Sequence, residues 1–192
     1  MKKLLIVLVA FACVFTMFSC GKSASYDGFI EAIENTTPAV VEVKITSDTA
    51  FGPLSALFKT TYKEDGSFTI SGSYERFNTI SEGESKDVTS TVPVEITCDK
   101  DGNYSDGGAF TGSNPAATGA KLTIDKKMKA DVSKDGNVFS ANIKAEDTKA
   151  VLGIEFAADV NLTITKNDGK IISYTMEYKT EFGYDKIVCS YQ

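Results

Sequence analysis

From Ala39 onward the chain alternates apolar and polar positions with a period of two. Ala39, Val41, Val43 and Ile45 fall on one side of the alternation, and Glu42, Lys44 and Thr46 on the other. The same period returns in Phe68, Ile70 and Tyr74, in Val92, Val94 and Ile96, and in Leu122, Ile124, Met128, Ala130 and Val132. It runs longest through Leu152, Ile154, Phe156, Ala158, Val160, Leu162 and Ile164, with Glu155, Asp159, Asn161, Thr163 and Thr165 between them. Ile172, Tyr174, Met176 and Tyr178 continue it. Successive strand side chains point to opposite faces, so this pattern predicts an antiparallel sheet with one dry and one wet face. Helical spacing is clear once, over Asp27 to Asn35, where Phe29, Ile30 and Ile33 share a stripe. Asp27 is placed to cap that amphipathic helix, and Thr36-Thr37-Pro38 ends it.

Turn residues divide the strands. Asp-Gly pairs stand at Asp65-Gly66, Asp101-Gly102, Asp135-Gly136 and Asp168-Gly169, each ahead of a new alternating run. Asp-Gly is a strong hairpin signal because type I′ turns need positive φ at both central residues. Asp99, Asp101, Asn103 and Asp106 also invite a calcium reading, but Thr97 stands where an EF-hand loop would have its first Asp, so a hairpin turn is expected there. Ser81 to Asp87 and Gly107 to Gly119 read as exposed loops, and Gly52 to Phe58 as a short helical turn or a flap over the dry face.

The first residues follow a different rule. Lys2 and Lys3 precede an uncharged apolar run from Leu4 to Phe18, which stops at Ser19-Cys20-Gly21. Such a run is shorter than the roughly 20 residues of a comfortable membrane span and has the form of a signal peptide. Met17-Phe18-Ser19-Cys20 resembles the lipobox of bacterial lipoproteins, in which a small residue precedes a cysteine that receives diacylglycerol. Met17 and Phe18 stand where that pattern usually has Leu and a small residue. The expected organisation is a signal peptide over 1–19, a lipidated tether over 20–25 starting at Cys20, and a single β-rich domain over 26–192. The resemblance implies a protein held in the bacterial cell envelope or at the cell surface by N-terminal acyl chains.

Composition narrows the function. The 192 residues carry 26 acidic and 20 basic groups, a formal charge of -6, so nothing offers nucleic acid a basic field. With no His, the commonest general base and transition-metal ligand are missing. No Gly-x-Ser-x-Gly elbow occurs, and Glu155 and Asp159 fall on the wet side of a strand, so no catalytic residue, metal site or cofactor is expected and the chain reads as a non-enzyme. Beyond the signal and Cys20, the cysteines left are Cys98 and Cys189. In an oxidising compartment they are expected to form a disulfide; two thiols buried in neighbouring strands are the other reading.

One nine-residue helix, roughly 14 Å long, is too small to cover so large a dry face. The expected fold class is therefore mainly β: a strongly curved antiparallel meander, half-barrel or barrel, with one N-terminal amphipathic helix. Its interior is either filled or holds an apolar ligand. The helix followed by a long curved sheet, with the closing stretch Val160 to Tyr178, resembles the LolA/LolB and LppX/LprG group of bacterial envelope proteins. That resemblance implies a half-barrel holding lipid or acyl chains. The candidate ligand-binding face is Phe29, Ile33, Leu152, Ile154, Phe156, Val160 and Leu162. The competing expectation is a non-catalytic interaction module that binds protein or glycan over a filled core.

Overall fold

The computed structural model describes residues 26–78, 89–113, 115–118, 122 and 131–192. Cys20, the signal segment, the 81–87 loop and most of the 122–132 alternation lie outside them. Helix α1 spans Tyr26–Glu34. Four strands follow, β1 (Val40–Ser47), β2 (Leu54–Tyr62), β3 (Phe68–Phe77) and β4 (Thr89–Cys98). A connection with a short helix α2 (Ala109–Ser113) and a 3₁₀ turn (Pro115–Thr118) leads to β5 (Asp131–Asp135) and β6 (Val138–Ile143). After a second 3₁₀ turn and helix α3 (Thr148–Leu152) come β7 (Val160–Asn167), β8 (Lys170–Lys179) and β9 (Tyr184–Tyr191).

These strands form one antiparallel sheet in the order β4-β3-β2-β1-β9-β8-β7-β6-β5. It consists of two meanders joined at the centre by β1 and β9, with Val43 opposite Cys189. One row across it reads Val94, Gly72, Phe58, Val43, Cys189, Tyr174, Ile164 and Phe139. All of these except Gly72 are buried, which fixes the register because a one-residue slip would turn them to water.

The sheet neither closes nor curls strongly, contrary to the barrel or half-barrel that the area mismatch predicts; among the described residues no strand pairs beyond β4 or β5. The physical reason is the connection between them. It must pass from one edge of the sheet to the other, eight strand spacings or about 38 Å away. Gly107 to Gly119 is thus no exposed loop throughout: Thr111, Ala116, Ala117 and, just beyond it, Leu122 are buried. The Thr60 hydroxyl donates to the Ala117 carbonyl (3.0 Å) and the Tyr62 hydroxyl to that of Thr118 (2.6 Å), tying the 3₁₀ turn to β2. Covered by this connection, α1 and α3, the sheet can stay open.

Two further expectations fail locally. Gly52 to Phe58 is neither helical nor a flap, because β2 begins at Leu54 and pairs with β1. Leu152 to Ile164 is not one strand: Val151 and Leu152 are buried from α3, and β7 starts only at Val160. Gly153 ends α3 at φ 70°, and its N–H closes on the Lys149 carbonyl at 3.1 Å. That left-handed cap is a glycine stop signal inside a period-two pattern.

Candidate ligand pocket under the 153–159 strap

The seven residues from Gly153 to Asp159 form a strap over the dry face, fixed at two points. At one, the middle of the strap, the buried Thr148 hydroxyl donates to the Ala145 carbonyl (2.8 Å) and accepts the Phe156 N–H (3.0 Å). At the other, Asp159 accepts the Lys144 ammonium (2.7 Å) and the Ala145 N–H (3.1 Å). Those two donors, the ammonium first, hold the Asp159 carboxyl below the usual carboxylate range.

Beneath the strap lies a pocket of about 410 Å³, in the lower part of the range for small-molecule sites. Ile45 and Ser47 of β1, Tyr178 of β8, and Asp185 and Ile187 of β9 form its floor. Ala116 and the strap residues Ile154 to Ala157 complete it. Phe156 reaches the Tyr178 ring, with centroids 4.6 Å apart and planes tilted by 57°. Tyr178 stands opposite Asp185 in the β8–β9 register and donates its hydroxyl to Asp185 Oδ2 at 3.0 Å. Burial, and then the Asp185 charge, push the Tyr178 hydroxyl well above its ordinary pKa, so it remains a donor. Asp185 Oδ1 is buried and has no hydrogen-bond partner.

Of the seven residues proposed as a ligand-binding face, Ile154 and Phe156 line this pocket. Ile33, Leu152, Val160 and Leu162 do not; they are nearly inaccessible and packed into the main core. The Phe29 side chain lies outside the described residues. Asp185 is the feature that sequence reasoning missed. Its signal was present, since a period of two places it in line with Ile187, Cys189 and Tyr191.

Cys98 and Cys189 are free thiols rather than a disulfide. They lie on β4 and β9, with β3, β2 and β1 between, so four strand spacings or about 19 Å separate the strands. A bridge requires Cα atoms within about 7 Å. Burial pushes the Cys189 thiol up to about 12. The Asp99 to Asp106 segment uses its carboxylates locally. Asp99 accepts the Asp101 and Asn103 N–H groups (2.9 Å each), and Asp106 accepts those of Gly108 and Phe110 (2.9 Å each). Among the described residues no cluster of acidic or cysteine side chains is placed to hold a metal ion.

Compared with known proteins, the chain matches no protein family and no curated protein.

Proposed function

We propose that this protein is a lipid-anchored lipoprotein of the bacterial envelope that binds the apolar part of an amphiphile in the pocket beneath the strap. The observation that carries the reading is the pocket itself: about 410 Å³ left open beside the packed core, with Ile45, Ile154, Phe156 and Ile187 among its walls. Each methylene buried there contributes about 0.8 kcal/mol before ordering costs, which suits a short acyl or alkyl chain. Anchoring rests on Cys20 and the signal ahead of it. This much agrees with the lipid-holding role implied by the LolA/LolB and LppX/LprG resemblance, without that group's half-barrel.

Two measurements test the proposal. Replacing Cys20 by Ala should release the protein from membranes or leave it unprocessed; unchanged attachment and mass would refute the anchor. Native mass spectrometry of the Cys20→Ala chain should find a bound amphiphile or uptake of an added one, reduced in Phe156→Trp, where the larger ring fills the pocket. A chain that emerges empty and takes up no acyl or alkyl probe is not a carrier. Exposed Phe51, Phe182 and Tyr184 favour the interaction module as the second reading. They stand on or beside the β1–β2 and β8–β9 turns, which Asp48 joins by accepting the Tyr184 N–H at 3.1 Å.

A further inference from the structure

We infer that the pocket under the strap selects a ligand with a positively charged amine, for which Asp185 is the counter-ion. This rests on the proposal that the pocket takes an amphiphile, and it names the chemistry of that amphiphile's head. Asp185 occupies the inward phase of β9, two residues before the buried Ile187. A carboxylate set into an apolar row is costly unless its oxygens are engaged. Oδ2 is engaged by the Tyr178 hydroxyl at 3.0 Å, whereas Oδ1 is buried without a partner. The Asp185 carboxylate thus lines the pocket with acceptor capacity that Tyr178 does not use up.

The lining decides which donor. It contains two acids, Asp185 and Glu155, and among its described residues no Lys or Arg. Glu155 already faces Lys149 at 3.8 Å, and both side chains are largely exposed, so Asp185 is the acid left to a ligand. A fatty acid or phosphate head would meet like charge there. An ammonium would give the Asp185 carboxylate a charge-assisted hydrogen bond, and Phe156 and Tyr178, 4.6 Å apart, supply aromatic faces that attract a cation.

The test titrates the full-length chain at pH 7 with three water-soluble probes of equal chain length, n-octylammonium, octan-1-ol and n-octanoate, followed by calorimetry. Octylammonium should bind at least about tenfold more tightly than octanol, and octanoate most weakly. Asp185→Asn, which keeps an acceptor for Tyr178, should erase the ammonium advantage while leaving octanol binding in place. Glu155→Gln should retain most of that advantage. Equal affinities for the three probes, or a preference that survives Asp185→Asn, would overturn the amine inference and leave the pocket reading standing. Failure of both octanol and octylammonium to bind would remove the pocket reading itself. If the Asn variant no longer takes octanol, the ranking of the three probes on the unaltered chain decides alone.

Discussion

Thr148 is a small residue with a large positional effect, because its one buried hydroxyl serves both the turn before α3 and the Phe156 N–H. Thr148→Val keeps the shape and removes both bonds. The Phe156 N–H then loses its partner, and the expected cost is about 1 to 3 kcal/mol in urea denaturation, with weaker uptake of any pocket ligand. Thr36 plays a matching part elsewhere: its buried hydroxyl donates to the Ala32 carbonyl (2.9 Å) and accepts the Ile171 N–H (2.7 Å), joining the end of α1 to β8. Gly72 is fixed by geometry of another kind. It sits at φ 150°, and a Cβ there would overlap the Leu57 carbonyl oxygen of the neighbouring strand. Gly72→Ala should cost about 2 to 4 kcal/mol by the same measurement, more than a side-chain loss at an exposed strand site.

Among the elements, β8 shows how a regular pattern can mislead. Alternation predicts Ile172 inward with Tyr174 and Met176, yet Ile172 is 45% exposed and Ile171 only 3%. The β7–β8 register shifts at this point: Thr165 pairs with Ser173 and Lys166 with Ile171, so Ile172 is the extra residue of a bulge. Ile171→Ala should therefore destabilise by about 2 to 5 kcal/mol, whereas Ile172→Thr should stay within about 0.5 kcal/mol, as thermal denaturation of the pair will show. Hairpins were more legible. Asp168-Gly169 forms a two-residue turn with φ of 48° and 76°, as its sequence requires. The strap was not, because Ile154, Phe156 and Ala158 keep the strand's period while Gly153 and the Thr148 and Asp159 anchors hold the backbone out of the ladder. Burial of Ala116 and Ala117 was equally hidden, since small residues between glycines carry the composition of a surface loop. The pocket was half visible: Ile154 and Phe156 belonged to the apolar row, but only tertiary packing could set Asp185 beneath them.

Across the whole molecule, buried phenols and a buried thiol set its behaviour in alkali. Burial, together with neighbouring ionisable groups, raises Tyr62 to about 12 and lifts Tyr174 and Tyr191 as well, while Cys189 rises from 9.0 to about 12. Below about pH 8 these groups hold their protons whether the chain is folded or not, so they add no pH dependence to stability. Between about 8 and 12 the unfolded chain loses protons that the folded chain keeps, the thiol first, and stability should fall steadily; a urea midpoint unchanged from pH 8 to 11 would contradict this. The outermost of the described strands are protected by chemistry rather than closure, with Pro93 in β4 and Lys134 and Asp135 in β5 discouraging further pairing. At the middle of the sheet, β1 bonds to β9, so the first and last strands form its central seam. A ribosome making this chain therefore completes both sides of that seam only when the final strand emerges. Until then β1 has only β2 beside it and β8 only β7, so the two meanders cannot join in their native order. Such long-range closure belongs to slow, millisecond-to-second folding.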